Sequence, residues 1–233
     1  GIGVNTPAPE PDSGVMINVN MKSLNVDQWI AISNSIGGPK TERAAPAPSD
    51  GLNLSSYIIP DVMAARANEL IIGDRKLDEV VVGASHQDDT WQASIDSRQV
   101  SGHVTWAESA TGQGLGKVTA RLASLVIPES AAEEVKSLLE ADRGAAASIP
   151  GLDIVAERFE LFNKPLGRLE LLASNAQALA GREWRVNKLT LTNPDGKLSG
   201  TGKWLTKDGK SSTSLNFIID IADAGKLLDR FGF

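Results

Sequence analysis

Gly112-Gln-Gly-Leu-Gly-Lys117 has the glycine density and closing lysine of a phosphate-cradling loop. That loop needs four residues between its outer glycines, then Lys and Ser or Thr, because successive amides must wrap the phosphates while the hydroxyl reaches the metal. Here three residues separate Gly112 from Gly116, and Val118 follows the lysine. Gly209-Lys-Ser211 has the right ending, but Trp204 stands where the first glycine should be. Both stretches fall between two strand-like runs at the same place in a repeated pattern, which makes them hairpin turns.

A metal site would have to rest on carboxylates, since the chain has two histidines, His86 and His103, and no cysteine. His86-Gln-Asp-Asp89 is a local cluster of ligand types, set at a polar turn where such runs are solvated. His103 lies on the polar face of its strand and is expected to be exposed or paired across the strand. There is no Gly-x-Ser-x-Gly elbow for a nucleophilic serine. The expectation is a protein that is not an enzyme, has no cofactor and has no metal. Of the five tryptophans, Trp29, Trp91, Trp106, Trp184 and Trp204, the last four fall at matching repeat positions, which favours packing over ligand stacking.

The elements that must position these residues come from a chain of 233 residues, 41% apolar and 22% charged, an ordinary globular composition. With eleven aromatics, burial rests on Leu, Ile, Val and Ala, which suit repetitive layered packing. Twenty-three basic and 29 acidic residues are interspersed without a basic stripe, which argues against a nucleic-acid partner. No apolar run approaches the roughly eighteen residues of a membrane span, and no export leader is visible. The start at Gly1 and the Pro-rich Thr6-Pro-Ala-Pro-Glu-Pro-Asp12 suggest a piece of a longer polypeptide.

Self-similarity organises the rest. Leu77, Trp91 and Val100-Ser-Gly-His-Val-Thr-Trp106 match Leu166, Trp184 and Leu198-Ser-Gly-Thr-Gly-Lys-Trp204, at separations of 89 for the leucines, 93 for the first tryptophans and 98 for the second. A strand running into a capped helix occurs three times. Ile17-Asn-Val-Asn-Met21 precedes Asn25, Leu122-Ala-Ser-Leu-Val126 precedes Ser130, and Leu215-Asn-Phe-Ile-Ile219 precedes Asp223. Asn, Ser and Asp cap helices because their short side-chain oxygens accept from the free amides of the first turn. Ser130 with Glu133 makes a capping box, and Ala131, Val135, Leu138 and Leu139 share a face, predicting a helix over 129–142. A second helix is expected over 224–231.

Between helices the period is two. Leu198, Gly200, Gly202 and Trp204 share one face, and Leu215, Phe217, Ile219 and Ile221 share another, with Ile218 the exception on its strand. Asn193-Pro-Asp-Gly196, Lys207-Asp-Gly-Lys210, Asn163-Lys164 and Gly73-Asp74 mark turns. The expected fold is α+β and β-rich: an elongated repeat of antiparallel, curved meander sheets with one short capped helix per unit, forming a groove. The expected divisions are a flexible leader, 1–14; a first unit, 15–115, with a linker at 36–60; a second unit, 116–208; and the start of a third, 209–233. The candidate apolar lining is Ile17, Val19, Met21, Leu122, Val126, Leu169, Leu171, Leu189, Leu191, Leu198, Leu215, Phe217 and Ile219. The same positions are equally those that the two helices would cover in a closed core.

The segments Asp153-Ile-Val-Ala-Glu-Arg-Phe-Glu-Leu-Phe-Asn-Lys-Pro-Leu-Gly-Arg-Leu-Glu-Leu-Leu172 and Arg182-Glu-Trp-Arg-Val-Asn-Lys-Leu-Thr-Leu-Thr-Asn-Pro-Asp-Gly-Lys-Leu-Ser-Gly-Thr-Gly-Lys-Trp204 resemble the large AsmA-like proteins of Gram-negative bacteria, in the YhdP-type branch. Leu215 to Gly232 resembles that family's habit of ending a strand in an Asp-Ala-Gly helix. The resemblance covers 67–233, and 15–35 through the repeat. It implies a periplasmic segment of a longer, inner-membrane-anchored protein that conducts phospholipid between inner and outer membranes along an apolar β-groove, with adjacent repeats of the same chain as neighbours. It supplies no catalytic residue. The alternative is a structural or assembly scaffold of the envelope that binds protein partners by its sheet edges or groove.

Overall fold

A computed structural model of the chain describes residues 1–28, 60–72, 75–109, 116–131, 150–178, 181–207 and 210–232. Packing divides it into two units, Gly1–Gln87 and Asp88–Phe233. The first holds β1 (Ile2–Val4), β2 (Met16–Asn25), β3 (Val62–Ile72) and β4 (Arg75–Gln87). The second holds β5 (Thr90–Asp96), β6 (Val100–Ala107), β7 (Lys117–Ile127), β8 (Gly151–Leu161), β9 (Lys164–Ala178), β10 (Gly181–Asn193), β11 (Gly196–Lys207), β12 (Lys210–Ile221) and the helix α1 (Ala224–Phe231). Within each unit the strands lie side by side in chain order. The β-rich α+β class expected from alternation is what forms.

In the first unit β1 and β2 are parallel, β2 and β3 are parallel, and β3 and β4 form an antiparallel hairpin. Part of the stretch expected as a flexible leader thus supplies β1. In the second unit every neighbouring pair is antiparallel except β7 and β8. The parallel pairs depart from the meander expected throughout. They occur where a longer segment, 5–15, 26–61 or 128–150, separates consecutive strands, because a parallel neighbour needs a crossover of about a dozen residues and a tight turn cannot supply it.

The turns follow from local chemistry. Phe162 and Asn163 both take positive φ, 52° and 63°, the twist that a two-residue hairpin needs between β8 and β9. At the Asn193-Pro-Asp-Gly196 turn, the Asn193 Oδ1 accepts from the amides of Asp195 at 2.9 Å and Gly196 at 3.1 Å. Residues 73–74, 110–115 and 208–209, where three more turns are expected, lie outside the described residues.

Helix α1 occupies 224–231, the range expected. Asp223 caps it through a bond from the Lys226 amide, and Gly232, at φ 84°, closes it by donating to the carbonyls of Asp229 and Leu228. Asn25 makes the same cap after β2, its Oδ1 accepting from the Gln28 amide at 3.0 Å. Glu129–Ala131 forms a 3-10 turn, and the remainder of the helix expected over 129–142, with the Glu133 half of its capping box, lies outside the described residues. So does the linker expected at 36–60, apart from Pro60.

Candidate functional site

Strand register sorts the second unit's side chains onto two faces of contrasting chemistry. Stepping across from Leu122 on β7, the register partners are Ala156, Leu169, Leu191, Leu198 and Ile219. From Ala120 they are Ile154, Leu171, Leu189, Gly200 and Phe217. From Val118 they are Leu152, Ala173, Val186, Gly202 and Leu215. In the other direction the rows continue through Gly102 to Ile95, Val104 to Ala93 and Trp106 to Trp91. Register partners project to the same side, so three adjacent rows make an unbroken apolar face from β5 to β12.

The middle of this face is its most buried part. Ala120, Leu122, Ala156, Phe159, Leu166 and Leu169 form one cluster, flanked by partly buried Ile154, Leu171, Leu189 and Leu191. Ala173 and Trp184 form a second, packed with Leu152, Val186 and Trp204. At β12 the face opens, and Leu215, Phe217 and Ile219 are 50%, 50% and 56% exposed.

Glycines shape the approach between rows. A Cβ on Gly200 would sit 2.5 Å from the Phe217 ring, and one on Gly102, whose φ is 145°, would meet the Leu122 backbone at 2.7 Å. The Ser-Gly pairs of the repeat therefore leave room for a large neighbour on the next strand. The tryptophans match as the repeat requires: Trp91 stands opposite Trp106, and Trp184 opposite Trp204, with the rings of the latter pair 5.6 Å apart and tilted by 44°. Trp184 is also tied by its indole N–H to the Pro150 carbonyl at 3.2 Å.

Of the expected lining, Leu122, Leu169, Leu171, Leu189, Leu191, Leu198, Leu215, Phe217 and Ile219 share this face. Val126 does not. A bulge between Leu122 and Ser124 shifts the alternation, so Val126 pairs with Glu160 on the opposite face and Leu125 takes its place beside Val100. Ile17, Val19 and Met21 share a face of the first unit, in register with Met63, Ala65 and Ala67, which in turn meet Ala84, Val82 and Val80. Missing from the expected list are Val104, Ala120, Ile154, Ala156 and Val186. Their signal was the period-two spacing of Val118, Ala120 and Leu122 and of Leu152, Ile154 and Ala156.

The opposite face of the second unit carries its charged pairs, with Val155, Leu172 and Ile218 among them. Arg121 reaches Asp153 at 2.8 Å and Lys117 reaches it at 3.6 Å, while Glu170 accepts from both Arg168 and Lys188. His103 pairs across the strand, its Nδ1 2.8 Å from the Ser94 hydroxyl. One further ion pair holds α1: the Arg230 guanidinium grips the buried Asp195 carboxylate at 2.5 Å and 2.9 Å and donates to the Pro165 carbonyl at 3.2 Å. In the first unit Glu69, at 2.5 Å, holds the Lys76 ammonium above its ordinary pKa. None of these charges lies on the apolar rows. Among the described residues no group of three His, Asp or Glu is placed to hold a metal, and no helix is long and apolar enough to cross a membrane.

A one-sided apolar sheet built from a repeated strand pattern is the arrangement that the sequence resemblance implied, and the family model for YhdP protein matches residues 1–233. The chain belongs to the YhdP family. Membership associates it with the cell envelope. No curated protein and no solved structure matches the chain.

Proposed function

We propose that this YhdP-family chain is a non-enzymatic, periplasmic lipid-carrying module, in which the acyl chains of a phospholipid lie along the apolar rows of β5 to β12 while the headgroup stays in water. The observation that carries this reading is the continuity of the rows. Eight consecutive strands place apolar side chains or glycine at three successive stations, with no charge between them. An acyl chain gains about 0.8 kcal/mol for each methylene it buries, so an uninterrupted aliphatic surface holds a tail at many positions with small barriers between them. That is the property a conductor needs and a tight-binding pocket lacks. Ile17, Val19 and Met21 would serve the first unit in the same way.

The test is native mass spectrometry of the chain purified without added lipid, together with the Phe217→Glu variant. Phe217 is half exposed, so the variant is expected to remain folded by circular dichroism, with its carboxylate reaching water. Co-purifying phospholipid should fall. A folded variant with undiminished lipid, or a wild type that never carries lipid, overturns the proposal and favours the envelope scaffold.

A further inference from the structure

The register shift in β10 between Val186 and Leu189 sets two consecutive residues, Asn187 and Lys188, opposite Thr201 alone on β11. Beside this bulge lies a cleft of about 370 Å³, lined chiefly by Arg185, Asn187, Thr201, Lys203, Ser214 and Asn216. Register orders the lining into two rows: Arg185, Lys203 and Ser214 in one, Asn187, Thr201 and Asn216 in the next. The cleft opens on the face away from the apolar rows, and neither Leu215 nor Phe217 lines it. We propose that it binds a phosphorylated polyol, with the phosphate on the row of Arg185, Lys203 and Ser214 and the hydroxyls on the row of Asn187, Thr201 and Asn216.

Charge selects the phosphate. Elsewhere on this face two cations share one carboxylate: Lys117 and Arg121 share Asp153, and Arg168 and Lys188 share Glu170. Arg185 and Lys203 stand directly opposite each other, a like-charge pairing that destabilises a sheet. Among the described residues no carboxylate bridges them. The buried Glu183 meets Arg185 alone, at Nε and Nη2, both at 2.6 Å. That pair fixes the guanidinium and leaves Nη1 outside it, so an anion from solution can complete the pattern the other cations already show. The neutral row selects what carries the phosphate. The volume falls within the roughly 300–1,000 Å³ of small-molecule sites and exceeds what a bare phosphate requires. Thr201, Asn187 and Asn216 both donate and accept, as the hydroxyls of a polyol do. Asn187 is anchored by its Nδ2, which donates to the Ser174 hydroxyl at 2.9 Å and leaves the amide oxygen to accept. The lining holds no carboxylate to repel the phosphate and no aromatic ring on which a nucleotide base could stack. The cleft and the apolar rows lie on opposite faces, so this site stands whether or not acyl chains occupy the rows.

The probe is glycerol 3-phosphate, titrated into the full chain at low ionic strength and followed by amide chemical shifts. Saturable shifts are expected at 185–188, 201–203 and 214–216, with Ala120, Leu122 and Leu169 unmoved. Lys203→Gln should weaken binding about tenfold, the scale of one charge-assisted bond, and keep its circular dichroism, since Lys203 is exposed. Thr201→Val should weaken glycerol 3-phosphate about threefold and leave inorganic phosphate unaffected, the scale of one neutral hydrogen bond. Vesicles of phosphatidylglycerol separate the two sources of this chemistry: displacement of glycerol 3-phosphate by the vesicles assigns the site to a lipid headgroup, and its retention assigns a soluble ester. The proposal is overturned by shifts that spare these three stretches, by inorganic phosphate that binds as tightly as glycerol 3-phosphate, or by a folded Lys203→Gln variant that binds undiminished.

Discussion

β7 and β12 occupy corresponding places in their unit. Each follows a strand carrying the Ser-Gly…Trp pattern, pairs with it antiparallel, and runs into a short helical turn. Yet Ala120 and Leu122 on β7 are 4% and 6% exposed, while Leu215 and Phe217, their counterparts in the repeat because Phe217 pairs with Gly200 as Leu122 pairs with Gly102, are both 50% exposed. The residues on β12 are the larger and more apolar, so composition does not explain the difference. What differs is the next strand: β8 lies against β7, and its Ile154 and Ala156 complete the rows there. Burial on this sheet belongs to adjacent strands jointly, as in repeat architectures where a unit cannot cover its own apolar face.

Charge placed on the two strands should break the comparison open. Leu122→Glu strands a carboxylate in the most buried cluster, with no cation on the apolar rows among the described residues, and should cost more than about 4 kcal/mol, enough to abolish cooperative unfolding of the second unit. Phe217→Glu should cost under about 1.5 kcal/mol, since its side chain reaches solvent. Urea titrations of the two variants check this, and equal losses would mean that β12 is as covered as β7.

The glycines sharpen the same contrast. A methyl at Gly102 meets the backbone of Arg121 and Leu122 and forces a positive φ on a residue that resists it, so Gly102→Ala should cost about 1–3 kcal/mol. At Gly200 the obstructing atoms belong to the half-exposed Phe217 ring, which can rotate away. Gly200→Ala should stay within about 0.5 kcal/mol of wild type by thermal denaturation. A larger loss there would show that the Phe217 ring is held in place by something beyond β11.

These two strands also show how far the sequence could be read. The facing of 198–204 and 215–221, the matching places of the tryptophans in the two repeats and α1 were all legible, because period two, a cap residue and a repeat are local signals, whereas the pairing of Trp91 with Trp106 and of Trp184 with Trp204 across strands was not read. The bulges were not. Ala123 and Asn187 look like ordinary strand residues, and the register shift each sits beside depends on its partner strand, so Val126 was expected on the wrong side. The parallel pairs were hidden for a related reason: alternation tells which face a residue takes but not which strand lies beside it. Ala156, fully buried, went unlisted because its small side chain signals little until Leu122 and Leu169 are seen on either side of it.

The ends of the two strands are fastened differently. The Val126 amide donates to the Gln99 carbonyl at 2.7 Å in the turn between β5 and β6, and the Ala222 amide donates to the Asp195 carbonyl at 2.9 Å in the turn between β10 and β11. Only the second turn adds a buried carboxylate gripped by a helix arginine, Arg230. Asp195→Ala should therefore loosen α1 and cost about 1–3 kcal/mol locally, the scale for leaving a partly buried charged donor without its acceptor. Hydrogen exchange should quicken across 224–232 and remain unchanged at Val126. Loosening at both places would mean that the two turns are coupled.

The smallest effect separates the cap after β2 from the cap after β12. Asn25 and Asp223 accept the same bond from the amide three residues on, both at 3.0 Å, but only aspartate titrates. The bond from the Lys226 amide, then the Lys226 side chain, hold the Asp223 carboxyl below its ordinary value. A group whose folded pKa is depressed contributes stability above its unfolded pKa and loses it as the pH falls through the folded value. The α1 cap should thus be fully effective at neutral pH and weaken once the pH drops below the ordinary aspartate range, while the Asn25 cap stays constant. Amide shifts of Lys226 and Gln28 followed together through an acid titration read both caps in one sample. Asp223→Asn should flatten the Lys226 titration and keep the helix, since asparagine caps as well as aspartate does. If Lys226 still titrates in that variant, the acid response of α1 comes from a group other than its cap.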